Sequence, residues 1–248
     1  MSGVLLVTGG SRGIGAAVAL QAAREGWKVA VNYQGNKARA DAVVAEIKAG
    51  NGAAFAVQGD VGIEADVQAI FAAVDKEFGP VTGLVNNAGI TGPVSRLDVL
   101  SPEDLRRVVD INIIGSLACA REAIKRMSTK HGGQGGAIVN LSSIASVIGG
   151  AGEWVHYAMT KGAIDTFTLG LAREVAGEGI RVNAVAPGLI ETEIHAAAGV
   201  GDRLEKLAPM IPMKRTGTAE EVAESILWLL SPASSYVTGT IVKVTGGR

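Results

Sequence analysis

Tyr157 and Lys161 stand four residues apart in a stretch, Val155 to Ala176, that reads as helix, so their side chains share one face. A phenol with an ordinary pKa of about 10 exchanges its proton poorly near neutrality. A cation beside it stabilises the phenolate and makes the pair a proton-transfer unit. Ser142-Ser143, at the C-terminal edge of the apolar run Ala137 to Leu141, offers a hydroxyl that could donate to an oxygen of a bound molecule. A third constellation, Thr8-Gly9-Gly10-Ser11-Arg12-Gly13-Ile14-Gly15, lies between a short β-branched run and a helical pattern, where helix N-terminal N–H groups meet phosphates. Its spacing, G-x-x-x-G-x-G over Gly9, Gly13 and Gly15, departs from the commoner G-x-G-x-x-G fingerprint. Each feature alone has a plain structural reading: an amphipathic helix pair, a capped turn, a tight turn.

Positioning these residues requires a regular frame, and the chain supplies an alternation of strands and helices. Strands are predicted over Val4 to Thr8, Lys28 to Asn32, Ala53 to Gln58, Gly83 to Asn86, Ala137 to Leu141, Arg181 to Ala186 and Thr240 to Val244. Helices are predicted over Ile14 to Glu25, Asn36 to Ala49, Ile63 to Phe78, Ser101 to about Met127, Val155 to Ala176 and Thr218 to about Leu230. Ser101-Pro102-Glu103-Asp104 and Thr218-Ala219-Glu220-Glu221 are helix starts, the second with capping-box spacing. The rhythm predicts a doubly wound α/β fold, about seven parallel strands flanked by helices on both faces. No linker or change of composition divides residues 1–248, so one domain is expected. Leu189 to Thr216 is too long and too weakly periodic for an ordinary connection and is read as a substrate lid, a disordered insertion being the alternative.

Composition narrows the class of function. With 23 Lys plus Arg against 24 Asp plus Glu, the net charge of −1 removes the global field of a protein that coats nucleic acid or an anionic membrane. Any anion site must be local. The single cysteine, Cys119, excludes an internal disulfide framework and a multi-cysteine zinc site and suits a reducing compartment. His131 and His195 have no partner at ligand spacing, so no metal is expected. No apolar run reaches membrane-spanning length and no signal-peptide pattern opens the chain, so a soluble cytoplasmic protein is expected.

The Thr8 to Gly15 turn, Asn86-Asn87-Ala88-Gly89, Asn112, Ser142-Ser143, Tyr157-Ala158-Met159-Thr160-Lys161 and Pro187-Gly188 occur in an order that resembles the short-chain dehydrogenase/reductase family. The likeness covers the whole chain and is greatest to its 3-oxoacyl-carrier-protein reductase and sugar dehydrogenase relatives. It implies a Rossmann fold, a nicotinamide cofactor, a carbonyl or secondary alcohol substrate, and a homotetramer built from the long helices around Asn112 and Tyr157 and the C-terminal strand. It also implies a catalytic set of Asn112, Ser143, Tyr157 and Lys161, with Ser143 rather than Ser142 polarising the carbonyl. Asn112 would hold a helix kink and a water that relays protons to Lys161. The interval from Ser143 to Tyr157 is 14 residues, one longer than in the reductases it resembles.

The same resemblance assigns cofactor contacts. Gly9, Ser11, Arg12, Gly13, Ile14 and Gly15 would receive the phosphates, Asp60 and Val61 the adenine, and Asn87, Ala88 and Gly89 the ribose. Tyr157, Lys161, Pro187, Gly188, Ile190 and Thr192 would receive the nicotinamide end. Asp60 could equally cap the helix after it. The choice between NAD and NADP has a physical argument of its own. An NAD site would place Asp or Glu at the end of the second strand, where this chain has Asn32, and Arg12 can meet a 2′-phosphate. NADP(H) is therefore favoured over NAD(H); Lys37 and Arg39 are further candidate phosphate contacts, although a solvated helix face is the preferred account of both. Glu153, Trp154 and His156 are candidate substrate contacts, His156 more for the rim than for acid–base work. The expected function is NADP-dependent hydride transfer between a nicotinamide and a carbonyl or alcohol. A non-catalytic NADP-binding sensor and a dehydratase or epimerase are the other readings.

Overall fold

A computed structural model describes residues 3–193 and 203–248. Its strands are β1 Val4–Val7, β2 Lys28–Tyr33, β3 Ala53–Gln58, β4 Gly83–Asn86, β5 Gly136–Leu141, β6 Ile180–Pro187 and β7 Ile241–Val244. All pair in parallel, in the spatial order β3-β2-β1-β4-β5-β6-β7. The direction of winding reverses between β1 and β4, and a crevice opens there at the C-terminal strand ends.

Alternation along the strands explains the layers. Leu5 and Val7 of β1 pack with α1 (Gly13–Arg24), α2 (Lys37–Ala49) and the late helix Ala219–Leu230. Val4 and Leu6 point the other way, against α3 (Glu64–Phe78), α5 (Ser116–Met127) and α7 (Val155–Val175). Ile70 and Phe71 of α3 are wholly buried, each worth about 1.5–3 kcal/mol of transfer free energy. Small side chains such as Ala17, Ala19 and Ala22 let α1 lie close to the sheet.

The predicted helix from Ser101 to Met127 runs unbroken from Pro102 but changes register midway, at the position expected to kink. Pro102–Val109 (α4) passes into a π turn at Asp110–Gly115 before α5 begins. Asn112 lies in that turn with its side chain held from outside. Its Oδ1 accepts from Ile90 N–H and its Nδ2 donates to Ile90 O, both at 2.9 Å, and also to Thr160 Oγ1 at 3.0 Å. Gly115 abuts the chain leaving β3, where a Cβ would stand 2.8 Å from Val61 O. The π insertion satisfies these tertiary contacts at the expense of helical register.

Two smaller differences also follow from local contacts. The expected loop after β5 contains a short helix, α6 (Ala145–Ile148). In the expected lid, Ile190 bridges Gly217, Glu191 N–H donates to Gly217 O at 2.9 Å, and α8 (Arg203–Leu207) precedes a 3-10 turn at Ala208–Met210. His195, Gly199 and Gly201 lie outside the described residues.

Helix α9 (Ala219–Leu230) opens on the predicted capping box, with Thr218 accepting from Glu221 N–H and Glu221 accepting from Thr218 N–H. Thr218→Ala is expected to cost about 1 kcal/mol, lowering the melting temperature by about 2–4 °C. A thermal melt unchanged by the substitution would show that the cap carries no net stability.

Candidate active site

The glycine turn is built by contacts from two neighbouring strands. Asn87, just past β4, donates from Nδ2 to Thr8 O at 2.9 Å and Gly9 O at 3.0 Å, while Thr8 Oγ1 accepts from the N–H groups of Asn87 and Ala88. A Cβ on Gly15 would lie 2.5 Å from both Asn87 Nδ2 and Gly9 O, so helix α1 can start this close only with glycine there. Gly9 has a positive φ of 60°, which turns the chain off the end of β1.

Asn32 ties the same turn to β2 and β3. Its Oδ1 accepts from Gly9 N–H at 3.2 Å, and its Nδ2 donates to Val57 O and Gly59 O at 3.3 and 3.0 Å. Its amide is thus spent on the protein, and what remains of the expected role is the absence of a carboxylate. Asp60 accepts from Arg107 Nη2 at 2.6 Å and from Gly62 N–H at 2.9 Å. Its side chain does not cap α3, whose N-cap is Ile63.

These residues line a groove along the C-terminal strand ends. One half is bordered by Gly9, Ser11, Arg12, Gly13, Asn32, Asp60, Val61 and Ala88. The other is bordered by Ser143, Glu153, Trp154, Tyr157, Lys161, Pro187, Gly188 and Ile190, and both halves share Ile14, Asn87, Gly89 and Thr192. Thr192 reaches over the turn: a Cβ on Gly13 would meet its Cγ2 at 3.3 Å.

At the Arg12 end, Arg39 is exposed, as a solvated helix face requires, and also borders the groove. Arg39 Nη1 donates to Glu193 Oε2, and Arg12 Nη1 lies 3.8 Å from the same oxygen. Lys37 instead pairs with Asp41 at 2.6 Å on the exposed side of α2.

At the opposite end, Lys161 is buried, donates from Nζ to Leu141 O at 2.6 Å, and stands 5.6 Å from the Tyr157 ring centroid. Burial pushes its ammonium down to about 8, with the Asp165 carboxylate opposing. Burial also raises the Tyr157 phenol, while a hydrogen bond with the Ser143 side chain acts against that rise. Both serines border the groove, but their hydroxyls differ in partner: Ser142 donates to Lys161 O at 3.4 Å, while the Ser143 side chain bonds Tyr157.

His156 does not border the groove. It is buried, with Nε2 3.0 Å from Thr91 O, and burial lowers its pKa. Its contact instead holds the backbone of Thr91, a groove residue. Trp154 borders the groove while its Nε1 donates to Gly92 O at 3.4 Å. Sequence reasoning did not single out Arg107, Thr160 or Arg248, the last of which borders the Tyr157 end. Thr160, which donates to Tyr157 O at 2.8 Å, was visible only as part of the Tyr157 to Lys161 motif.

Other chemistries find little support in these groups. Cys119 is buried and its thiol is pushed up to about 12, far from a thiolate nucleophile. Among the described residues, no group of three or more His, Cys, Asp and Glu could hold a metal ion, and no helix is long and apolar enough to cross a membrane.

Comparison with known proteins agrees with this arrangement. A family profile described as enoyl-(acyl carrier protein) reductase matches residues 9–248. The chain is 51% identical over 245 residues to the uncharacterized oxidoreductase YgfF of Escherichia coli (strain K12), covering 99% of each protein. It is 41% identical to 3-oxoacyl-[acyl-carrier-protein] reductase FabG of Staphylococcus aureus (strain Mu50 / ATCC 700699), over 98% of this chain and 96% of that protein.

Among solved structures, a short-chain dehydrogenase/reductase from Serratia marcescens BCRC 10948 superposes with a TM-score of 0.90 at 32% identity, covering 99% of this chain and 97% of that one. A blue fluorescent protein from a metagenomic library, solved in complex with NADPH, superposes with a TM-score of 0.91 at 33% identity over the same shares. Fold, order of motifs and near full-length similarity converge: this oxidoreductase belongs to the short-chain dehydrogenase/reductase family.

Proposed function

We propose that the chain is an NADP(H)-dependent carbonyl reductase, or the matching secondary alcohol dehydrogenase, working through Tyr157, Lys161, Ser143 and Asn112. The observation that carries this reading is one groove with the Ser143, Tyr157 and Lys161 groups at one end and Arg12 with Arg39 at the other. The groove suits a dinucleotide phosphate. Gly9 and Gly13 border the groove where a pyrophosphate would approach, Gly15 facing Asn87 and Gly9 instead, and two guanidinium groups stand where Asn32 adds no negative charge. When bound, such a cofactor supplies or accepts the hydride.

The remaining work falls to side chains. In carbonyl reduction, Ser143 donates to the substrate oxygen and Tyr157 delivers a proton to it as negative charge develops. Because burial raises the phenol, Tyr157 keeps its proton near neutrality and starts as an acid. Lys161, close to the ring, favours the phenolate left behind. Asn112 fixes the π turn and, through Thr160, the helix carrying both groups, so we assign it a positioning role.

Leu141, Ile144, Ile148, Trp154 and Leu189 give the substrate end an apolar wall with Glu153 beside it. Leu189, Ile190 and Thr192 border that end, and we assign the segment 189–216 to covering a small carbonyl or alcohol substrate within a single domain. We further read the enzyme as a cytoplasmic homotetramer. Exposed Ile114 and Leu117 near the π turn, Met159 and Leu169 on α7, and Trp228 and Tyr236 near the C-terminal strand support that reading.

Three measurements test it. NADPH oxidation against a carbonyl panel that includes a 3-oxoacyl thioester should show kcat reduced about a hundredfold or more by Tyr157→Phe, with cofactor affinity nearly unchanged. Equal rates would remove Tyr157 from the chemistry. Lys161 is charged below about 8 and neutral above it, so the reduction rate should fall as pH rises through that value; a rate sustained well above it would contradict the role of the cation. Arg12→Ala should cut the preference for NADPH over NADH roughly tenfold, the scale of a hydrogen bond to a charged group. An unaltered preference would take Arg12 out of the phosphate site.

A further inference from the structure

We propose that Glu193 is a cofactor-specificity residue, an internal carboxylate that occupies the anion place between Arg12 and Arg39 and that the 2′-phosphate of NADP must displace. The inference rests on the NADP reading of the groove. Arg12 leaves the glycine turn and Arg39 the first turn of α2, yet both approach one oxygen, Glu193 Oε2. Their convergence means that the space between them accepts an oxyanion. Glu193 borders the same half of the groove as Ser11, Asn32 and Tyr33. The Arg39 hydrogen bond holds its carboxyl below the usual range, so it is a carboxylate at neutral pH.

The tie is suited to exchange. All three side chains are about half exposed, at 55% for Arg12, 43% for Arg39 and 51% for Glu193, and ion pairs so exposed are weak. A phosphate monoester carries nearly twice the charge of a carboxylate and presents more acceptor oxygens to two guanidinium groups. It therefore wins the site, but the energy of the existing pairs is subtracted from its binding. A dinucleotide without the phosphate leaves Glu193 in place and incurs no such loss. Thr192, the preceding residue, lies against Gly13 and borders both halves of the groove, so the exchange also frees the chain that flanks the reactive end.

Equilibrium titrations of NADPH and NADH with the wild type, Glu193→Gln, Arg12→Ala, Arg39→Ala and the Glu193→Gln/Arg39→Ala double variant test this role. Glu193→Gln should tighten NADPH about threefold and leave NADH unchanged, and the gain should shrink when Arg39 is absent. NADPH affinity unchanged or weakened in Glu193→Gln, or both cofactors tightened alike, would overturn the proposal. Equal wild-type affinity for the two cofactors, unmoved by Arg12→Ala, would bring down the phosphate assignment itself. A preference lost in Arg12→Ala together with no response in Glu193→Gln would overturn only the role of Glu193.

Discussion

Backbone from β1, β4 and α1 meets at the glycine turn at separations that leave no room for a side chain on Gly15, with the Asn87 amide clamped to Thr8 O and Gly9 O. Asn32 fastens the other flank through Gly9 N–H and carries the tie on to β3 through Val57 O and Gly59 O. Four strand ends and a helix N-terminus are thereby locked at the point where the sheet reverses its winding. Every proposed cofactor contact is measured from that locked corner, because the groove follows the strand ends away from it in both directions.

The two ends of the groove use charge in opposite ways. Lys161 is buried against Leu141 O, and desolvation lowers its hold on the proton, so the Tyr157 ring 5.6 Å away stands beside a cation that is itself only moderately basic. Arg12, Arg39 and Glu193 lie half in water, where attraction is screened and partners exchange readily. A chain with a net charge of −1 therefore has room for both the proposed proton-transfer pair and the proposed exchangeable anion site.

Asn112 links the reactive end to the frame. Its side chain bonds Ile90 on the loop after β4 and Thr160 on α7, and the helix that carries it opens into a π turn to make those bonds. Local periodicity from Ser101 to Met127 reads as one helix because amphipathic spacing carries no mark of a single inserted residue. Arg107 was hidden, and Arg39 legible only as a less favoured phosphate contact, for a related reason: both sit on helices whose charged faces look solvated until the strand-end loops come round to meet them.

The succession of strands and helices, the glycine turn, the Ser101 and Thr218 caps and the shared face of Tyr157 and Lys161 were all legible in the chain, since each depends on residues a few positions apart. Parallel pairing followed from the same rhythm, while the spatial order of the strands came from the structure. Which of Ser142 and Ser143 bonds Tyr157, that His156 turns inward to Thr91, that Asn32 spends its amide on the protein, and that Glu193 meets Arg39 from 154 positions away were decided by tertiary structure. Those contacts join segments distant in sequence, and a side chain's direction there depends on which hydrogen-bonding partners the packed backbone leaves within reach.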